Sequence, residues 1–164
     1  MKEQYFSPDI SEFLFLLSKH RVKYLIVGGE AVIYYGYARL TGDIDIFYDR
    51  DEKNILKLYL ALKQFWNDDI PGITNKIELM QDGIVFQFGA PPNRIDLMNR
   101  IENISFNTAW INRIDTRLEF NDKKYNIHYI GLKELIKNKE SINRNKDKDD
   151  LKFLKSVKFR RRMK

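Results

Sequence analysis

Residues 42–50, GDIDIFYDR, alternate carboxylates with isoleucines, and this alternation restricts how the stretch can fold. In an extended strand, Asp43 and Asp45 point to one face while Ile44 and Ile46 point to the other. The stretch therefore predicts a strand with one buried face and two neighbouring carboxylates on the opposite face. Because like charges repel, the two acids require either a divalent cation or contact with solvent, and the pattern alone leaves both open.

A pair of glycines ends the preceding apolar run. Residues 22–29, VKYLIVGG, predict a buried strand that closes in a turn at Gly28 and Gly29. Glycines at such a turn let a ligand approach the backbone closely and leave N–H groups free for phosphate. Their spacing fits neither a Walker loop nor a dinucleotide-binding fingerprint. A short helix over residues 30–38 would return the chain, so that the turn and the two acids face one cleft.

A third acid lies on a later extended run. Asp96 stands between Ile95 and Leu97 in NRIDLM, residues 93–98, a run otherwise suited to the core. Three carboxylates form an oxygen-only ligand set of the kind that Mg²⁺ prefers. A site for two such ions activates a hydroxyl and stabilises a leaving phosphate, with Mn²⁺ as an alternative ion. A surface position for Asp96 remains the competing interpretation.

The rest of the chain predicts further helices and strands without an internal repeat. An Asp-Gly pair at 82–83 predicts a hairpin between two extended runs. The fold class expected is α/β (α+β), a mixed β-sheet flanked by helices. We expect residues 1–130 to form the core, with 131–164 as C-terminal helices and a basic tail packed on it. Helices are predicted over 8–20, 51–66, 105–111, 132–139 and 148–159, and extended runs over 76–80, 84–88, 93–98, 114–120 and 125–130.

Charge and composition narrow the class of protein. The net charge is +6, and the last ten residues, KSVKFRRRMK, contain six basic side chains. Such a tail attracts nucleic acid, nucleotides or an acidic partner, or it is a solvated helix face. There is no cysteine, and no apolar run reaches the roughly 18 residues that cross a bilayer. We therefore expect a soluble cytoplasmic protein that is not bound to a membrane.

Two segments together resemble the nucleotidyltransferase superfamily. The first is YLIVGGEAVIYYGYARLTGDIDIFYD, and the second is LKELIKNKESINRNKDKDDLKFL. They are similar to small prokaryotic nucleotidyltransferases of unknown substrate, which are related to toxins of abortive-infection type toxin–antitoxin systems. The resemblance covers residues 22–154. It implies a nucleotidyltransferase-type mixed sheet with a helical C-terminal element.

The resemblance also implies roles for the acids and the glycines. Asp43 and Asp45 would bind Mg²⁺ and the phosphates of an NTP, and Asp96 would bind a second ion and help to deprotonate the acceptor hydroxyl. Gly28 and Gly29 would cradle the phosphates. Many members of the superfamily have serine at the position of Gly29, so here only the backbone N–H is available to phosphate.

Further nucleotide-binding residues are implied on both sides of the acids. Arg39 and Thr41 match an Arg-x-Thr element just before Asp43 and would reach phosphate or orient the loop. Lys139, Arg144 and Lys146 match the C-terminal part of the pattern and would pair with the triphosphate. For Asp147 and Asp150 we expect structural roles, with Asp147 as the N-cap of the last helix.

The predicted function is Mg²⁺-dependent transfer of NMP from an NTP to an acceptor hydroxyl, with release of pyrophosphate. The acceptor is RNA, such as a tRNA end bound through the basic C-terminus, or a protein or a small molecule. An antitoxin protein is a further expected partner. The alternative is a catalytically silent module of the same fold that binds nucleotide or nucleic acid.

Overall fold

A computed structural model describes residues 5–164 of the chain. One mixed sheet of six strands, in the order β3-β4-β2-β1-β6-β5, forms the centre of the molecule. The strands are β1 (Tyr24–Val27), β2 (Asp43–Tyr48), β3 (Val85–Phe88), β4 (Arg94–Met98), β5 (Ile114–Phe120) and β6 (Lys123–Tyr129). The predicted fold class, a mixed sheet with flanking helices, is confirmed.

Six α-helices surround this sheet. Helices form near residues 8–20, 30–38 and 51–66, as predicted, because apolar side chains recur there at helical spacing. At the first of them, Ser7 Oγ accepts a hydrogen bond from the backbone N–H of Ile10 at 3.3 Å, and Pro8 occupies the first turn. The helices are α1 (Pro8–Lys19), α2 (Gly28–Tyr34), α3 (Glu52–Phe65), α4 (Phe106–Ile111), α5 (Leu132–Ile142) and α6 (Asn145–Arg162).

Strand register brings the acids together. β1 runs antiparallel to β2, and Val27 lies opposite Asp45. β2 runs parallel to β4, and Asp45 lies opposite Asp96. Side chains at paired positions point to the same face of a sheet, so Asp43, Asp45 and Asp96 share one face at one end of β2 and β4. Ile44 and Ile46 are buried on the other face, as the alternation predicts.

The hairpin predicted around Asp82 and Gly83 is wrong. Residues Lys76–Met80 form a 3₁₀ helix rather than a strand, and β3 pairs antiparallel with β4 instead. The Asn75 side chain accepts from the N–H of Ile77 at 2.9 Å, and Glu78 accepts from the N–H of Asn75 at 3.5 Å. This capping box satisfies backbone donors locally and favours the helical turn over an extended run.

Both C-terminal helices are longer than predicted; α5 begins at Leu132 as predicted, whereas α6 begins three residues earlier than predicted. α5 continues to Ile142, where Asn143 ends it in the left-handed conformation with φ 54°. α6 begins at Asn145, so Asp147 lies in its first turn and is not the N-cap that we expected. Its carboxylate accepts from the backbone N–H of Arg144 at 3.1 Å. Asp147 therefore stabilises the helix start from inside the first turn.

Within residues 5–164, no helix is both long enough and apolar enough to cross a membrane. The structure does not describe residues 1–4, the first part of the predicted core segment.

Candidate active site

Three carboxylates form the centre of the site. One oxygen from each of Asp43, Asp45 and Asp96 lies within 4.8 Å of the others. The side chain of Asp96 is 7% exposed and that of Asp43 is 24% exposed, so the cluster opens toward solvent on the Asp43 side. Three carboxylate oxygens at this spacing fit the ligand preference of Mg²⁺, which keeps several waters and takes only a few protein oxygens.

Crowding of the acids alters the pKa of the middle one. Burial, followed by the charges of Asp43 and Asp96, raises the pKa of Asp45 to about 7. A carboxylate that resists ionisation beside two others marks a place where positive charge would be stabilising. Perturbed carboxylates in a cleft are also typical of functional sites. The chemistry of the donor set is therefore compatible with a divalent cation.

Arg94 already supplies positive charge to this cluster, and the sequence analysis missed it. Its Nη2 donates to Asp43 Oδ2 at 2.6 Å and to Asp96 Oδ2 at 3.1 Å, and its Nε donates to Asp96 Oδ1 at 2.9 Å. Arg94 and Asp96 are two residues apart on β4, so they share a face. The same alternation that located Asp43 and Asp45 could have located this arginine.

Gly28 is required because a carboxylate packs directly against its backbone. It adopts φ +64°, a left-handed conformation that only glycine enters readily. A Cβ atom at this position would overlap Oδ2 of Asp45 and lie 3.0 Å from its Cγ. The close approach that we predicted for a ligand is thus made, in this structure, by a side chain of the protein itself. Gly28 sets where the Asp45 carboxylate can lie.

Gly29 provides space for the Arg39 and Thr41 side chains. A Cβ atom on Gly29 would lie 3.0 Å from Arg39 Nη1 and 3.1 Å from Thr41 Oγ1. Thr41 Oγ1 donates to Asp43 Oδ1 at 3.0 Å, so the threonine orients the first acid of the cluster. Arg39 Nη1 donates to Asp150 Oδ2 at 3.1 Å and so connects the glycine turn to α6.

A buried ion network ties α5 to α6 behind the cleft. Lys139 Nζ donates to Asp147 Oδ1 at 2.9 Å and to Asp150 Oδ2 at 3.0 Å. All three side chains are at most 3% exposed. Arg144 Nε donates to Asp147 Oδ2 at 2.8 Å from a more exposed position. The structural roles expected for the two acids fit this arrangement, and the Lys139 ammonium is held by carboxylates.

All the predicted site residues line one cleft of about 430 Å³. Apolar side chains, among them Met98, Ile101 and Ile142, line the same cleft. The cleft therefore combines acids, cations, a glycine turn and apolar surface, which together suit a charged ligand that also carries an apolar ring. The predicted residues in it are Gly28, Gly29, Arg39, Thr41, Asp43, Asp45, Asp96, Lys139, Arg144 and Lys146.

Comparison with known protein families agrees with this geometry. A family described as "Nucleotidyltransferase of unknown function (DUF6036)" matches residues 9–158, which is most of the chain. The chain belongs to this family. The resemblance noted from the two sequence segments is confirmed, and the nucleotidyltransferase class follows from family membership. A comparison with curated proteins gave no match.

Proposed function

We propose that this nucleotidyltransferase-family protein transfers NMP from an NTP to an acceptor hydroxyl and releases pyrophosphate, in a reaction that depends on Mg²⁺. The observation that carries the proposal is the juxtaposition of Asp43, Asp45 and Asp96 within 4.8 Å in a cleft that also contains the glycine turn. Mn²⁺ would satisfy the same oxygen ligands.

In the proposed reaction, different side chains have different roles. Asp43, Asp45 and Asp96 would hold Mg²⁺, which supplies Lewis-acid stabilisation of charge on the phosphates. Asp96, which is buried while Asp43 and Asp45 are partly exposed, would accept the proton of the attacking hydroxyl. Arg144 and Lys146 lie at the exposed rim of the cleft and would bind the outgoing pyrophosphate as charge develops on it.

Arg39 and Lys139 would contribute mainly by positioning. Each already donates to Asp150, so neither cation is fully available to a triphosphate. Arg39 lies over Gly29, where it limits the space open to the ligand. We assign the direct phosphate contacts to Lys146 and to the exposed part of the Arg144 guanidinium, whose Nε and Nη2 bond Asp147. We assign the shape of the turn to Arg39 and Lys139.

The proposal also concerns which molecule supplies the acceptor hydroxyl. The basic end of α6, with Arg160, Arg161 and Arg162 in its last turn, supports a nucleic acid such as RNA or a tRNA end. A protein or small-molecule hydroxyl is the alternative acceptor. An antitoxin that restrains the activity would be consistent with the relatives suggested by the sequence.

A label-transfer experiment tests the proposal. The protein is mixed with Mg²⁺, each α-labelled NTP in turn, total RNA and cell lysate, beside Asp45→Asn and a surface control, Asp122→Asn. We expect label in one class of acceptor with wild type and Asp122→Asn, and at least about 100-fold less with Asp45→Asn, since this change removes one of the three carboxylates that would hold the metal, whose charge stabilisation is worth several kcal/mol. Equal labelling by Asp45→Asn would refute the assigned metal site.

Arg94 favours a second candidate, the catalytically silent module. Its guanidinium bonds two of the three acids and provides the charge that a cation would otherwise provide. In that case the protein binds NTP in the same cleft without turnover. Calorimetric NTP binding that needs no Mg²⁺ and releases no pyrophosphate would support this candidate over transfer.

A further inference from the structure

A second charged cavity lies away from the acids. It has a volume of about 560 Å³, and five basic side chains line it while no carboxylate does. We call it the basic groove and define it by Arg21, Lys23, Lys57, Arg117 and Lys124. The five come from separate parts of the chain: the α1–β1 turn, α3, β5 and β6. Only the folded topology brings them together.

In the part of the chain that the structure describes, no close ion pair holds the cations of the basic groove, although Glu119 lies opposite Lys124 in the pairing of β5 with β6. Among residues 5–164, none of its five cations forms an ion pair within 4.0 Å. A nearby acid, Asp115, bonds Arg113 at 3.0 Å and His128 at 2.6 Å instead. Like charges around one cavity repel and destabilise the folded protein, so a bound anion would reduce this repulsion.

We propose that the basic groove binds the phosphate backbone of a single-stranded nucleic acid. The cations are long, mostly exposed side chains spread around an open cavity, an arrangement that suits several phosphates in a row. A tight site for one phosphate would instead use buried donors converging on a point. Trp110 and His128 also line the cavity, with ring centroids 5.0 Å apart, and Lys23 Nζ lies 5.9 Å from the centroid of the Trp110 ring.

The groove and the acids lie at opposite ends of β1. Lys23 precedes this strand and Gly28 follows it, so about 16 Å of extended chain separates the two places. A nucleic-acid strand bound in the basic groove would then lie about this far from the acidic cleft, and its end would extend toward the cleft. This acceptor role rests on the proposed function, whereas the binding itself does not.

The test measures binding by fluorescence anisotropy, without Mg²⁺ or NTP. The probe is a fluorescein-labelled single-stranded RNA of about 16 nucleotides, the upper range of typical single-strand sites. The groove variant carries Arg21→Gln, Arg117→Gln and Lys124→Gln. The matched control carries Arg160→Gln, Arg162→Gln and Lys164→Gln, which removes two arginines and one lysine from the basic tail. The residues changed in both variants are exposed.

We expect the groove variant to bind on the order of 100-fold more weakly at 0.1 M salt, because each lost contact forfeits the release of about 0.7 counterion. The slope of log affinity against log salt should fall from about −3.5 to about −1.4 for the same reason. The tail variant should stay within about fivefold of wild type, because the basic end of α6 would add long-range attraction for nucleic acid, which salt screens, while the basic groove would make the direct phosphate contacts. Urea midpoints of both variants should match that of wild type.

Several outcomes would overturn the inference. Equal losses in the two variants would indicate attraction by net charge alone, and a loss only in the tail variant would place the nucleic acid on α6. Displacement of the RNA by inorganic phosphate at matched ionic strength would indicate a small phosphate ligand. Equally effective displacement by polyglutamate would indicate an acidic protein partner. None of these results depends on whether nucleotidyl transfer occurs.

Discussion

Replacing Gly28 by alanine should have two effects: it strains the backbone, and it displaces the carboxylate of Asp45. A non-glycine residue in the left-handed region costs about 1–2 kcal/mol. Alanine also reduces the entropy of the unfolded chain, which offsets about 0.4–1 kcal/mol of that cost. The strain alone should therefore lower the free energy of unfolding by about 1 kcal/mol. The new Cβ would also overlap the Asp45 carboxylate and push this side chain off its rotamer, for about 1 kcal/mol more.

Gly72→Ala is the matched control. Gly72 has φ +74°, close to the +64° of Gly28, but a Cβ at Gly72 would meet no atom within 4 Å. We expect urea unfolding to show a loss of about 1 kcal/mol for Gly72→Ala and about 2 kcal/mol for Gly28→Ala. The difference between the two variants measures the displacement of Asp45.

Only the Gly28 variant should affect function. A displacement of about 1 Å at a catalytic group costs about 100-fold in rate, so label transfer should fall by that amount, and calorimetric Mg²⁺ binding should weaken. Gly72→Ala should match wild type in both assays. If Gly28→Ala bound Mg²⁺ and transferred label as well as Gly72→Ala, the argument that this glycine sets the position of Asp45 would be refuted.

Three further predictions concern the ion pairs. Lys139→Met should lower the free energy of unfolding by about 3 kcal/mol, the low end of the range for breaking a buried ion pair, because Asp147 and Asp150 lose their shared cation but keep Arg144 and Arg39. Lys155→Met, which loses an exposed pair, should cost at most about 1 kcal/mol; equal losses in urea unfolding would contradict this. Burial alone would raise the pKa of Asp147, but hydrogen bonds from Arg144 and Lys139 outweigh it and lower this pKa from 3.8 to about 2. The stability contributed by its charge is therefore present above about pH 4 and lost as the pH falls toward 2, so unfolding free energies of wild type and Asp147→Asn should converge across that range. Arg94→Gln should tighten Mg²⁺ binding about tenfold in calorimetry, since it removes a competing cation from Asp96; weaker binding would instead make Arg94 an orienting residue.

Sequence reasoning succeeded where one local pattern decided the structure. The alternation around Asp43 and Asp45 predicted both the strand and its buried face. The short helix predicted over 30–38 forms over Gly28–Tyr34, so it includes both glycines, and it connects the neighbouring strands β1 and β2. Asp96 was expected beside them, with a surface position as the alternative, and the pairing of β2 with β4 brings it there. The roles of these residues in catalysis remain predictions.

Other features were missed for two different reasons. The run over 76–80 looked extended by composition, yet Asn75 and Glu78 carried a capping-box pattern that indicated a helical turn. Tyr48 Oη then donates to the carbonyl of Leu79 at 2.8 Å and holds this turn against the sheet. The basic groove had no local pattern at all, because its cations are far apart in sequence and meet only through the order of the strands.

The hydrogen bond from Arg39 to Asp150 has a consequence for the newly made protein. The two residues are separated by 111 positions, and Arg39 covers the glycine turn. During synthesis on the ribosome, the acids on β2 and β4 emerge long before α6 does. Arg39 cannot make this hydrogen bond until α6 has emerged. A nascent chain therefore exposes the acids early but completes the cleft late, because Lys139, Arg144 and Lys146 also line it.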